Sequence, residues 1–357
     1  MRIADFDYHL PPERIAQAPI EPRDSSRLLV VQRGTGALEH RIFRDIGEYL
    51  RPGDLLVANR SRVLPARLRG VKADSGGRAE LLLLAVRGDL GPDHWEALVR
   101  PGRRIHDGQR LSFGNGALTA DLLARMPSGG RIVRLCATDG SVSDALARLG
   151  SMPLPPYIHT PLADAERYQT VYARDTGSAA APTAGLHFTP DLLDRLQARG
   201  VGLAYVTLHI GLDTFRPVTE DTLDRHAMHS EAIELDAAAA AAINATRASG
   251  GRIVAVGTTA VRTLEAVAAL AAKREESGEA TGDALVTPYR GRTSLFITPG
   301  YQFRTVDVML TNFHLPRSTL IVLVSAFAGR ELILRAYAEA IRENYRFYSF
   351  GDAMLIL

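Results

Sequence analysis

The alternation of apolar and polar positions changes period along this chain, and each change marks an architectural boundary. Pro52-Gly53-Asp54 makes a turn, and Leu55-Leu56-Val57-Ala58 behind it is an apolar run of buried-strand length. From 63 to 138 the texture becomes β-like. Segments 78–86, 95–100, 116–122 and 131–137 are separated by Gly, Pro, Asp and Ser, the spacing of a small antiparallel barrel or sandwich. A short helix is predicted over 141–149 with Ser141 as its N-cap. Met152-Pro153-Leu154-Pro155-Pro156-Tyr157 is a stiff segment suited to a domain crossing.

Beyond Pro190 the period becomes strand–helix. Helices are expected at 191–199, at 237–248 behind the cap Asp236, at 259–272, 319–328 and 331–345; strands at 201–210, 252–256, 295–297 and 306–310. Such alternation implies an α/β fold, a layered and mostly parallel sheet with helices. The run at Leu55 most simply joins that sheet. Residues 1–62 and 150–357 then form one α/β catalytic domain, and 63–149 an inserted β-barrel domain. Residues 273–283 are polar enough for a loop.

Composition narrows the class. With 357 residues, 46% hydrophobic and 23% charged, the chain is that of an ordinary globular protein of about two domains. The longest nearly apolar run, 320–329, is about half of what a bilayer span needs. The N-terminus shows no apolar signal region, and the single cysteine, Cys136, excludes an intrachain disulfide or a multi-thiolate metal site. A cytoplasmic protein is expected, with no membrane partner. Net charge is only +2, but lysine occurs solely at Lys72 and Lys273, so arginine supplies the other basic residues. Genomic base composition explains this blandly; phosphate contact and base stacking explain it functionally. Arg60, Arg62, Arg67, Arg69 and Lys72 cluster without an intervening acid, and Arg100, Arg103 and Arg104 form a second group. That suits a polyanion touched along one face.

Candidate chemistry sits at strand ends. Val256-Gly257-Thr258-Thr259-Ala260-Val261-Arg262 is a strand end, a tight turn and a helix start, either a plain capped helix or an anion and ribose site. It is neither a Walker A loop nor GxGxxG. Pro182-Thr183-Ala184-Gly185-Leu186-His187 combines small residues with an imidazole. His209 ends the predicted strand at 201–210, where α/β enzymes place chemistry. His226, His229 and Glu231 are too few and wrongly spaced for zinc, so Glu231 is expected to face a cation or set a histidine tautomer. Asn312-Phe313-His314 offers an amide, an aromatic face and an imidazole for a purine-like base, unless Phe313 belongs to the core. The aromatic tail from Tyr345 to Asp352 packs the last helix or walls a pocket.

Taken in order, these segments resemble the S-adenosylmethionine:tRNA ribosyltransferase-isomerase family of the queuosine pathway. The likeness runs nearly end to end. It takes in Asp5-Phe6-Asp7-Tyr8-His9-Leu10-Pro11, Arg23-Asp24-Ser25-Ser26-Arg27-Leu28, Pro153-Leu154-Pro155-Pro156-Tyr157-Ile158, Val206-Thr207-Leu208-His209, Met228-His229-Ser230-Glu231 and Gly257-Thr258-Thr259. The resemblance implies transfer and isomerisation of the ribosyl group of S-adenosylmethionine onto 7-aminomethyl-7-deazaguanine at the tRNA wobble position. Epoxyqueuosine would form, and adenine and methionine would leave. It implies a monomer acting on tRNA with GUN anticodons, no metal or bound cofactor, and S-adenosylmethionine as co-substrate. His187, His209 and Glu231 are then the catalytic candidates, with the two histidines exchanging protons. Gly257, Thr258, Thr259 and Arg262 would hold the donor; Asn312, Phe313 and His314 would hold the deazaguanine. Arg60, Arg62, Arg67, Arg69 and Lys72 would meet tRNA phosphates.

Three positions depart from the family pattern. Asp213 stands where a glycine is usual, Arg60 where Asn or Asp is usual, and Phe350 where a tyrosine is common. Three other readings remain open on the sequence: a methyltransferase, which lacks its glycine-rich fingerprint here; a silent tRNA-binding module; and a nucleotide-sugar transferase, which lacks its metal-binding carboxylate pair.

Overall fold

A computed structural model of the chain describes residues 1–102, 104–126, 129–211, 220–277 and 284–357. Its first strands are β1 (Arg27–Val31), β2 (Leu38–Ile42), β3 (Leu55–Asn59), β4 (Ser61–Val63), β5 (Arg67–Lys72), β6 (Arg78–Val86), β7 (His94–Arg100), β8 (Arg110–Phe113), β9 (Leu118–Arg125) and β10 (Arg131–Ala137). Helix α1 (Val142–Leu149), β11 (Asp175–Ser178), α2 (Pro190–Ala198), β12 (Gly202–Leu208), β13 (Glu231–Leu235) and α3 (Ala237–Ala248) follow. The chain closes with β14 (Ile253–Val256), α4 (Thr258–Glu276), β15 (Tyr289–Thr293), β16 (Val308–Asn312), α5 (Thr319–Ala328), α6 (Arg330–Arg342) and β17 (Ala353–Ile356).

The large sheet runs β15-β13-β12-β3-β14-β16-β17-β1-β2. Its centre, β12-β3-β14-β16, is parallel. Antiparallel β13 and β15 extend one side; on the other, β17 is antiparallel to β16 and parallel to β1. The central strands are apolar on both faces because both faces are covered. Leu55, Val57, Ile253, Ala255 and Met309 pack toward α3–α6, while Leu56, Ala58, Val254, Val256, Val308 and Leu310 pack toward α2. Period-2 alternation thus serves two cores at once.

Between β4 and α1, strands β5 to β10 close a barrel in the order β10-β7-β6-β5-β8-β9. Leu68, Leu81, Leu111, Leu118, Leu122 and Val133 fill it, and α1 packs Val142, Ala145 and Leu146 into the same core. Ser141 caps α1 as its sequence predicts, accepting from the Asp144 N–H. Strands β5 and β8 escape the apolar pattern: each is short and largely polar on its outer face.

One expectation fails. Residues 295–297 are not a strand; the ladder partner of β13 is β15, just before them. The apolar triplet is pinned by side chains instead. The Leu295 N–H donates to Thr293 Oγ1, and the Leu295 carbonyl accepts from Arg262 Nε. Arg103 and the tail of the predicted 273–283 loop, from 278, lie outside the described residues; α4 occupies that stretch up to Glu276.

The connection out of β3 runs through the barrel and returns beside it as β12, and that out of β14 runs through α4 to the edge strand β15 before the chain crosses to β16. The parallel strands end on one edge of the sheet, where a crevice opens beyond β14 and β16; at the opposite edge lie the amino ends of β3 and β14. These ends are tied by Asp54 and Arg252. Arg252 Nη2 donates to Asp54 Oδ2 at 2.6 Å and Nε to Oδ1 at 3.0 Å, while Oδ2 also accepts the Arg51 N–H at 2.8 Å. Asp54 is buried, so removing it strands a charge. Asp54→Ala is expected to cost about 3–5 kcal/mol in chemical denaturation; a loss below about 1 kcal/mol, the worth of a surface pair, would show that the tie does not hold the strands.

Candidate active site

Strand β14 ends at Val256, and Gly257, at φ +87°, turns the chain directly into α4. That left-handed conformation suits glycine. Its N–H is held by the Leu310 carbonyl at 2.7 Å. Among the described residues no side chain caps α4, so its first-turn N–H groups and the positive end of its dipole face the crevice. Thr259 Oγ1 is buried there without a hydrogen-bond partner among the described residues. A buried hydroxyl left so is costly unless a ligand completes it.

Gly257, Thr258 and Thr259 line one cleft with Asn312, Phe313 and His314 from the end of β16. Thr183, Ile210, Tyr157, Tyr348 and Ser349 complete its walls. The cleft is open to solvent on one side. Two segments distant in sequence are thereby joined as one site.

Asn312 is buried and fully oriented. Its Nδ2 donates to the Tyr348 carbonyl and toward His187 Nε2, both at 3.2 Å, and Oδ1 accepts from Thr183 Oγ1 at 3.1 Å. His187 lies behind this wall, with Nδ1 at 2.7 Å from Ser26 Oγ and its ring stacked on Phe43 at 4.9 Å. Burial, with Arg346 and Arg23 nearby, brings its pKa down to about 3. His314 is likewise held neutral, down to about 3 by burial, with Nε2 at 2.8 Å from Thr311 Oγ1. Phe313 corrects the stacking expectation: its ring has no exposure and packs on Tyr337, Tyr345 and Phe347. The aromatic faces lining the cleft are Tyr157 and Tyr348, 4.8 Å apart, with Tyr348 held at φ +71°. Such strain collects at functional sites.

His209 follows β12 and packs over Gly177, where an added Cβ would fall 2.9 Å from the ring. Its Nδ1 is buried and has no partner among the described residues. Burial lowers its pKa despite the opposing pull of Asp175 and Glu234. Arg262 sits one turn deeper than Thr258, away from the cleft lining, bonded to Glu231 and to the Leu295 carbonyl. Glu231 also accepts the Gly211 N–H at 3.1 Å and lies 3.2 Å from His229. Burial opposes its ionisation, but His229, Arg262 and Gly211 outweigh it and hold the carboxyl below its ordinary value. His226 pairs separately with Glu220. Among the described residues no three such side chains converge on a metal site.

The basic stretch divides. Arg60 bridges Asp175 and Asp236, and Lys72 donates to the Arg104 carbonyl. Arg62, Arg67 and Arg69 line, with Arg100, a broad groove between the barrel and the proline segment. Arg62 meets Glu166 there, while Arg67 and Arg69 share Glu80 at 3.9 and 3.8 Å.

Residues 3–356 match the family described as queuosine biosynthesis protein. The chain belongs to this family. It is 56% identical over 357 residues to the S-adenosylmethionine:tRNA ribosyltransferase-isomerase of Symbiobacterium thermophilum, and 56% identical to that of Moorella thermoacetica, with the whole of each chain covered. The crystal structure of the S-adenosylmethionine tRNA ribosyltransferase of Thermotoga maritima is 41% identical, with a TM-score of 0.56 over 99% of this chain and 100% of that one.

Against the family pattern, Phe350 keeps a ring packed edge-on to Tyr168 at 5.7 Å, Arg60 is engaged as above, and Asp213 lies outside the described residues. Sequence reasoning missed Ser26, Thr183 and Tyr157 as members of the site or its support. Each lies in a segment that the family likeness flagged, but none carries a local signal of chemistry.

Glu231→Gln should lower the melting temperature at pH 7. The gap should close as pH falls through the depressed carboxyl value, because below it wild-type Glu231 is protonated as well. A gap that does not shrink as the pH is taken from about 4.5, the ordinary carboxyl value, down through the depressed one would show that the charge contributes nothing.

Proposed function

We propose that this chain transfers the ribosyl group of S-adenosylmethionine to 7-aminomethyl-7-deazaguanine at the wobble position of tRNA and rearranges it to the epoxycyclopentanediol of epoxyqueuosine. Adenine and methionine are released. The observation that carries this reading is a helix end without a side-chain cap among the described residues and an oriented amide, sharing one cleft at the carboxyl edge of the sheet in a chain that belongs to the family along its length.

The chemistry sets the roles. The sulfonium acidifies the C5′ protons, so a base forms a carbanion there; the aminomethyl nitrogen attacks as the neutral amine; adenine leaves with a proton. The α4 N-terminus with Gly257, Thr258 and Thr259 suits the donor's hydroxyl or carboxylate oxygens. Asn312 and His314 suit the deazaguanine. His209 serves as the proton carrier: burial lowers its pKa, and its Nδ1, buried just outside the residues that line the cleft, has no hydrogen-bond partner among the described residues. Glu231 fixes Arg262 and balances its charge beneath the donor site. Arg62, Arg67 and Arg69 face tRNA phosphates across the groove, each with a carboxylate that a phosphate must displace. The α/β unit, 1–62 and 150–357, carries the chemistry, and the barrel unit, 63–149, steers the tRNA. Acceptors have GUN anticodons, the enzyme works as a cytoplasmic monomer, and S-adenosylmethionine is its co-substrate with no bound cofactor.

Mass spectrometry of the wobble nucleoside, after incubation with S-adenosylmethionine and tRNA bearing 7-aminomethyl-7-deazaguanine, should give epoxyqueuosine and one free adenine per transfer. A methylated nucleoside with S-adenosylhomocysteine and no adenine would overturn the reading. His209→Gln should lower kcat by about 10²–10⁴-fold. As a base His209 must be neutral, and its pKa is lowered, so the acid limb of the wild-type kcat/KM profile should fall below about pH 6.5, the ordinary histidine value. The variant should lose that limb; a variant that keeps it removes His209 from proton transfer.

A further inference from the structure

Behind the cleft wall lies a buried relay, Ser26–His187–Asn312, which decides the polarity of the face shown to the ligand. We infer that His187 is a positioning residue, locking the Asn312 amide so that Oδ1 faces the cleft beside Thr183 and selects a ligand presenting an N–H edge. The inference rests on the ribosyl-transfer reading above and assigns a specificity device within it.

The argument is one of donor and acceptor counting. The Tyr348 carbonyl can only accept, so the Asn312 atom 3.2 Å from it is the nitrogen. The second Nδ2 hydrogen then points at His187 Nε2, also at 3.2 Å, which must be unprotonated to receive it. The ring proton therefore sits on Nδ1 and is donated to Ser26 Oγ at 2.7 Å. Flipping the amide would set its oxygen against both a carbonyl and a ring lone pair. The imidazole cannot swing away, because it is buried and stacked on Phe43 with 27° between the planes. Arg23 and Arg346 are the charged groups acting on it, and both disfavour a proton, so the relay keeps one tautomer through the working pH range.

Thr183 Oγ1 occupies one lone pair of Asn312 Oδ1 at 3.1 Å. The oxygen retains a second. Asn312 and Thr183 line the cleft, whereas Ser26 and His187 do not. An amino-substituted purine-type ring supplies the matching N–H, and the reaction offers two: adenine of the donor and the deazaguanine of the tRNA. A site built to receive a hydrogen bond rejects a partner that lacks the donor.

The test compares wild type, His187→Leu and His187→Gln with S-adenosylmethionine and substrate tRNA, determining the two KM values separately. His187→Leu removes one of the two acceptors that hold Nδ2 and leaves the amide latched by the Tyr348 carbonyl alone. It should lower kcat/KM by about 10–100-fold, the loss lying in the KM of whichever substrate meets Oδ1. His187→Gln offers an amide oxygen near the place of Nε2. It should recover activity to within about threefold of wild type and keep the acid limb of the pH profile. If His187→Leu fails to fold, Ser26→Ala, which unlatches Nδ1 alone, should show the same KM shift at smaller size. Nitrogen NMR of the wild-type ring should report a neutral, Nδ1-protonated His187 at pH 5, whatever the activity. The inference is overturned by a glutamine variant as inactive as the leucine one, by loss of the acid limb, by equal KM shifts or none, or by an Nε2-protonated or charged ring. A wild-type enzyme that releases no adenine would instead undo the proposed function and leave the NMR result standing.

Discussion

Strand β14 ends between β3 and β16, and Gly257 turns the chain there directly into α4, leaving a gap beside the end of β16. That constraint organises the rest. The carboxyl ends of β3, β14 and β16 point the same way because the strands are parallel. A helix must start where β14 ends, so its N-terminal N–H groups open into the gap. Glycine at 257 shortens the turn until nothing caps them. The site is thus the place where secondary structure leaves polar groups over, and the surrounding residues serve to keep it from collapsing.

Arginine is used mainly for that purpose. Arg252 ties the amino ends of β3 and β14, Arg60 joins β11 to the cap of α3, and Arg262 links α4 to β13 through Glu231. Glu265, fully buried on α4, works from the opposite sign, accepting the N–H groups of Arg304, Thr305 and Val306. A guanidinium reaches two partners at fixed angles, so it can bridge elements where lysine would make a point contact. The arginine-rich composition therefore speaks partly of fold. Only the part of the basic stretch that turns into the barrel groove retains exposed charge.

Much of this was legible in the sequence for a stated reason. Central strands are buried on both faces and read as unbroken apolar runs, and two of the helices announce themselves through Ser141 and Asp236 as caps. The texture break at 63 marks the barrel because a closed barrel needs inward-facing residues at period 2. What the pattern hides is direction. Nothing in Asn312-Phe313-His314 says that the aromatic ring points into the core, with Tyr337, Tyr345 and Phe347, while the amide lies along the cleft. Strand alternation gives opposite faces but not which face is the wall. Likewise residues 295–297 carry strand-like side chains, but their backbone groups are claimed by Thr293 and Arg262 before a ladder can form.

The two histidines show how environment, not residue type, assigns a role. Both are lowered by burial, but only His209 directly follows a strand of the sheet, whereas His187 closes a short helical turn ahead of α2. The difference lies in what each ring nitrogen meets. At His187 both are taken, by a hydroxyl and an amide, and any proton transfer would have to break a satisfied network. At His209 the Nδ1 edge has no partner among the described residues, and the ring lies flat on the Gly177 backbone beside Asp175. An imidazole so placed changes charge at the cost of its own desolvation alone, whereas His187 cannot do so without turning Asn312 around. Under the proposed function, proton transfer falls to the ring with an unpartnered nitrogen and recognition to the ring whose nitrogens are both engaged.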